Sequence, residues 1–257
     1  MLIGYINRGD SPSILSAGSQ VSTLPVGNLQ DPFVSKKWRT TSTVVSTHVL
    51  ITMDTQYSIR VISLLGTNLT SNATIRIRAS NTDTTATSGD ILDTGSVSAG
   101  IDDDYKNVYY VLNSDITARY WRVDIEDLTL STYIEIGRLF IGPAWIPSKS
   151  ALYGWANDWI DESNTSKSLG GQTFINVRAR RRVLTFTLSF MDEDEMYNNA
   201  FEIARRNGLN KDILVMMKTT GSRISEQSIF GLVNRSVPLT HQTLNVFMTR
   251  YTIEERL

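Results

Sequence analysis

The sequence predicts a mainly β protein in two parts: an all-β sandwich or barrel, followed by a sheet that carries one helix. Three observations predict it. Short apolar segments alternate with polar turns through residue 142, with no helical period between them. Pro143 and Pro147 then interrupt regular structure. Beyond them, within 170–208, a strand period of two gives way once to a helical period.

Residues 1–37 are polar and weakly periodic, with short strands and loops expected around Ile14-Leu15 and Leu24-Pro25-Val26. The stretch from Asn28 to Pro32 reads as a turn, because the residue before a proline is driven to extended backbone. Trp38 beside Arg39 reads first as a core anchor and second as a binding platform. Strands are expected over 47–53, 59–65, 74–80, 108–112, 119–125 and 133–142. In 74–80 the isoleucines face in and Arg76 and Arg78 face out. Residues 81–90, rich in Thr, Ser, Asp and Gly, form a loop.

After Trp155 and Trp159 comes a polar segment, 161–171, read as a loop. In the following strand Val183, Thr185, Thr187 and Ser189 take one face, and Leu184, Phe186, Leu188 and Phe190 the apolar one. Asp192 is the expected helix N-cap, with Glu195 at the capping-box position. Met196, Ala200, Ile203 and Ala204 keep helical spacing, Arg205 and Arg206 suit the last turn, and Gly208 stops it. Further strands are expected over 212–217, 229–233 and 243–249.

The 257 residues allow one large or two modest domains, and 41% hydrophobic with 20% charged residues is the balance of a soluble folded chain. A net charge of −1 argues against general nucleic-acid binding, which needs a cationic surplus. No apolar run reaches membrane-spanning length, and the N-terminus lacks the pattern of a signal peptide. The absence of cysteine excludes disulfides, thiolate metal sites and cysteine nucleophiles, and fits a reducing compartment.

Residues able to carry chemistry are sparse. His48, in an expected strand, and His241, in an expected turn, have no metal-like spacing, and no nucleophile elbow, zincin or phosphate-loop motif is present. Asp102, Asp103 and Asp104 read as a solvated turn before a calcium loop. A carbohydrate-active enzyme built on these, or on Asp124 and Glu126, is the weakest of three readings. Trp38, Tyr57, Tyr109, Tyr110, Tyr120 and Trp121 read as core packing ahead of sugar stacking. No catalytic residue, metal or cofactor is expected. Arg178, Arg180 and Arg182 share a strand face if the strand extends over them. They form either a solvated face or a contact to an acidic patch of a neighbour made by Asp192, Glu193 and Glu195.

Certain motifs resemble a known family. The pieces NLQDP…WRT, LLGTNL, ATIRIRASN, RYWRVDI and YIEIGRLFIG, in that order, are similar to the discoidin-like, galactose-binding-like jelly roll. SLGGQTF, the strand ending Leu188-Ser189-Phe190, the acidic helix start, ARRNG and IFGLV resemble the second half of distal tail proteins of long-tailed bacteriophages. The resemblance implies a jelly-roll sandwich over 1–142 and an α+β assembly domain over 143–257. It implies a non-enzymatic virion protein of the tail tip or baseplate, assembled in the bacterial cytoplasm. Such a protein forms a trimeric or hexameric ring that joins the tail tube to tip hub proteins. Its jelly roll contacts neighbours or host-surface glycan, and a lectin-like carbohydrate-binding module is the alternative. Loop-end ligand sites would then fall at Asn68, Asn72 and Asn81.

Overall fold

In the computed structural model, which describes residues 1–41, 45–234 and 238–257, two long strands organise the first of two units. This unit comprises residues 2–146 with 218–228. Strand β4 (Ser46–Leu65) pairs antiparallel with β8 (Val108–Glu126). The segments 47–53 and 59–65 are therefore halves of one strand, as are 108–112 and 119–125. What the sequence marks as breaks are bulges: the register shifts between Thr52 and Tyr57 and between Ile59 and Val61. Bulges bend a strand without ending it.

The bend creates the layers of a jelly-roll sandwich. The first half of β4 takes β2 (Ile14–Ala17) on its outer side, and the facing half of β8 takes β5 (Thr74–Ser80). Short strands β6 (Leu92–Asp93) and β7 (Val97–Ser98) extend β5. The other half of β4 takes β10 (Arg138–Gly142). Strand β3 (Trp38–Arg39) pairs with β9 (Glu135–Ile136), and Ile3 of β1 (Leu2–Gly4) bridges to Trp145. Trp38, Ile51, Ile77, Trp121 and Ile136 are among the fully buried core residues. The indole N–H groups of Trp38 and Trp121 donate to the carbonyls of Ser19 (3.1 Å) and Ala118 (3.3 Å), so neither buried ring leaves its donor unmet.

One of the two arginines of β5 departs from the outward pattern. Arg76 faces out and pairs with Asp93, but Arg78 is buried. Loop 81–90 returns over it: Arg78 donates to the Thr87 carbonyl at 2.8 Å and to the Asp124 carboxylate at 2.7 Å. The glycines of YIEIGRLFIG have a packing role. A Cβ on Gly137 would lie 2.0 Å from the Val34 carbonyl oxygen, and one on Gly142 2.0 Å from that of Ile6. Only glycine lets these backbones approach so closely.

The second unit comprises Met1 with 147–217 and 229–257. Its strands run in the order β15 (Ile213–Met216), β16 (Ser228–Val233), β18 (Val246–Glu255), β14 (Arg181–Met191) and β11 (Ala156–Ile160), and β17 (Leu239–Thr243) pairs β18. The expected strand 243–249 is instead a hairpin that turns at Leu244-Asn245, with Asn245 at φ 55. Asparagine tolerates this left-handed backbone better than most residues.

Strand β14 keeps the expected alternation through Leu188. The register then shifts before Met191, Ser189 turns inward, and Phe190 stands out at φ 60 and 62% exposed. Phe190 thus leaves the apolar face, because one inserted residue reverses the side-chain phase. Helix α1 spans 193–206 as three contiguous pieces, Glu193–Glu195, a π turn at Met196–Phe201, and Glu202–Arg206. Asp192 caps it, its carboxylate accepting from the Glu195 N–H at 2.7 Å. Met196, Ala200 and Ile203 are buried as expected, but Ala204 is exposed. Met196, Ala200, Ile203 and Asn207 make one buried stripe at helical spacing, and Ala204 lies at its solvent-facing edge.

Candidate functional site

Exposed apolar side chains gather in and just after the segment that the sequence reads as a polar loop. Strand β11 ends the sheet order, pairing β14 from Ala156↔Thr185 to Ile160↔Arg181. Beyond it β12 (Asn164–Lys167) and β13 (Thr173–Asn176) form a hairpin that pairs with no other strand among the described residues. Every residue of β12 and β13 is exposed. This β-arm and the residue after it carry Leu169, Phe174, Ile175 and Val177, with Leu169 fully exposed and Val177 at 78%, and Trp159 is exposed on the neighbouring β11. A lone two-stranded hairpin is marginally stable in water. An open edge beside several exposed apolar side chains is the pattern of a surface built to be covered.

The predicted arginine face does not form. Strand β14 starts at Arg181, so Arg178 and Arg180 precede it, and three of the run's four arginines are paired within the chain. Arg180 meets Asp161 at 2.9 Å. Arg181 meets Glu162 and Glu254. Arg182, its side chain 1% exposed, holds Glu255 at 2.5 Å. Arg178 is exposed, and its guanidinium has no ion-pair partner among the described residues. The acidic candidates divide similarly. Asp192 is spent on the cap, and the Glu195 carboxylate accepts from the Ser148 N–H and hydroxyl, both at 2.7 Å. Glu193 and Asp194 stay exposed with no ion pair among the described residues.

Next to Glu193 lies a pocket of about 510 Å³, walled by Tyr197 and Phe201 of α1, Leu239 and His241 of β17, and Phe247 of β18. His241 therefore sits on a strand, not in a turn, with its ring stacked 4.6 Å from that of Phe247. Tyr197 packs edge-on to Phe201 at 5.8 Å and to Phe247 at 6.4 Å. No periodicity in the sequence marks this cluster, because the π turn and the hairpin turn set its geometry.

In the jelly roll the three asparagines do not converge. Asn68 donates to the Tyr133 carbonyl (2.7 Å) and accepts from the Glu135 N–H (2.8 Å). Asn72 is exposed beside the start of β5. Asn81 lies past the other end of β5, accepting from the Arg119 N–H at 2.9 Å. Asn68 nevertheless borders a cluster of which the sequence singles out only Arg39. The Arg39 guanidinium lies 3.9 Å over the Tyr133 ring and donates to Glu135 at 2.5 Å. Burial lowers the pKa of nearby Lys37, whose ammonium donates to the Gly66 carbonyl.

The remaining candidates read as structure. Asp102 accepts from the N–H groups of Asp104 and Tyr105, and Asp103 pairs with Lys106 at 2.6 Å. No group of three or more His, Asp or Glu side chains is placed to hold a metal among the described residues. Burial, then the Arg122 charge, lowers the pKa of His48. In loop 81–90 the Thr85 hydroxyl, with the N–H groups of Ser88 and Thr85, holds the Asp83 carboxyl well below the usual range. No helix among the described residues is long and apolar enough to cross a membrane.

No protein-family model matches the sequence, and no curated protein is similar to it. Solved structures are similar over about half the chain. One is CpGH89CBM32-5 from Clostridium perfringens, in complex with GalNAc-β-1,3-galactose (TM-score 0.44, 10% identity, 54% of this chain and 100% of that one). Another is the family 32 carbohydrate-binding module of C. perfringens NanJ, in complex with galactose (TM-score 0.43, 14% identity, 56% and 99%). A third is a chitosan-binding module from a Paenibacillus chitosanase/glucanase (TM-score 0.42, 12% identity, 54% and 99%).

Proposed function

We propose that this chain is a non-enzymatic assembly protein. Its second unit self-associates through the β-arm, and its jelly roll serves as a recognition module. The carrying observation is the arm, an isolated hairpin with exposed apolar side chains beside an open strand edge. Heterologous contacts of this kind close into rings when the rotation allows. The order of sequence motifs supports placing such a ring at the tail tip of a long-tailed phage, between tail tube and tip proteins. Light scattering of the purified chain across concentration tests the assembly. A discrete oligomer supports it, and a monomer at every concentration overturns it. Tracing the chain in particles of its source by cryo-electron microscopy tests the tail placement.

A second reading, glycan binding by the jelly roll, is favoured by the Arg39, Tyr133 and Glu135 cluster. Sugar sites combine an aromatic face with a few fixed polar groups. The sugars held by the similar modules, galactose and GalNAc-β-1,3-galactose, are the first probes. Saturable binding by the chain, weakened at least about tenfold in Arg39→Ala, which is over 1 kcal/mol, supports this reading. Absence of binding to these and to an array of bacterial surface glycans removes it.

A further inference from the structure

The arm and the aromatic pocket belong to the same unit, and their unpaired charges are complementary. Of the four arginines at the arm's root, Arg178 alone has no ion-pair partner among the described residues. Of the acidic residues at the start of α1, Glu193 borders the pocket and is likewise unpaired among the described residues. Beside Arg178 stands Val177, 78% exposed, and above Glu193 stand the half-exposed rings of Tyr197 and Phe201.

Two backbone irregularities bring aromatics to this end of the sheet. The bulge turns Phe190 outward at φ 60, and the π turn spans Tyr197 and Phe201. A large residue at positive φ costs free energy that surrounding structure must offset, and π turns concentrate at functional places.

The two features lie at opposite ends of one strand. Val177 and Arg178 precede Arg181–Met191, and Glu193 follows it. An eleven-residue strand spans about 33 Å at roughly 3.3 Å per residue, so one copy cannot bring its own features together. We propose that the pocket of one copy receives the arm root of a second copy. Val177 enters the pocket and packs against the exposed faces of Tyr197 and Phe201, and Arg178 pairs with Glu193. The contact is head-to-tail, the type that propagates around a ring. It rests on the assembly reading above and specifies which surfaces meet.

The chain has no cysteine, so cross-linking can be site-specific. The full-length Val177→Cys/Tyr197→Cys variant, oxidised at a concentration where the protein is oligomeric, is expected to give a ladder of disulfide-linked multimers. Mixing the two single-cysteine variants is expected to give a mixed dimer as the new cross-linked species. A light-scattering oligomer without the cross-link overturns the pocket contact and leaves arm-mediated assembly standing. A chain that is monomeric throughout overturns both. A charge swap gives an independent readout at two exposed residues. Arg178→Glu alone and Glu193→Arg alone should each weaken association roughly tenfold, by placing like charges opposite each other. The double variant should recover most of the loss. Failure of the double variant to recover overturns the pairing.

Discussion

At the scale of the residue, Asp127 shows how one side chain holds a jelly-roll end together. It is fully buried. It accepts from the Thr70 N–H (2.7 Å) and hydroxyl (3.0 Å), and from the Thr129 N–H (3.1 Å) and hydroxyl (2.8 Å). Burial by itself raises its pKa, but these hydrogen bonds outweigh burial, and the net shift is downward. A carboxyl whose folded value is depressed stabilises the fold above its unfolded value, and that stability is lost as pH falls through the folded one. We expect Asp127→Asn to cost about 1–3 kcal/mol near neutral pH, since an amide cannot accept all four bonds. The stability of the variant should also fall less steeply than that of the parent on acidification below roughly pH 4, the unperturbed carboxylate value. Urea unfolding at a series of pH values reads both. Parallel curves would count against this account.

At the scale of the element, β14 is anchored at its start by an ion pair and interrupted at its end by a bulge. Arg182 lies inside the unit, with its Nε and Nη2 on the Glu255 carboxylate at 2.9 and 2.5 Å and its backbone N–H on the same group at 3.1 Å. Removing one partner of such a buried pair strands the other charge. Arg182→Ala should therefore destabilise the second unit by about 3 kcal/mol, seen as a fall in the urea midpoint. By contrast, Arg180→Ala removes an exposed pair with Asp161 and should change stability by less than about 1 kcal/mol. Equal losses in the two variants would refute the distinction drawn here between buried and exposed arginines.

At the scale of the whole molecule, each unit has its own architecture: a bent β4–β8 pair in the jelly roll, and a helix-bearing sheet with a free arm in the second unit. The arm's lack of strand partners predicts contrasting protease behaviour. In dilute, dissociated protein, cleavage should begin within 161–178, where exposed backbone opens at little cost. In the assembled state the same bonds should be protected. Mass spectrometry of early fragments at two concentrations checks this, and equal cleavage in both states would show that the arm is not covered on assembly.

The sequence by itself determined the elements whose cause is local. Alternation placed the sheets, Asp192 the helix start, Pro143 and Pro147 the interruption, and Trp38 and Trp121 the core. The lack of cysteine excluded disulfides and thiolate chemistry. Tertiary structure decided what depends on partners distant in the chain. Bulges made one strand of each pair of predicted strands. A returning loop buried Arg78. A bulge moved Phe190 to solvent, and the helix's packing left Ala204 at the edge of its buried stripe. A polar-looking loop became an arm, because its strands pair with each other and carry isolated apolar residues that no periodicity reveals. The same holds for Arg178 and Glu193. Their charges are plain in the sequence. That they have no ion pair among the described residues, while Arg180, Arg181, Arg182 and Glu195 are engaged, follows only from where the fold places Asp161, Glu162, Glu254, Glu255 and Ser148.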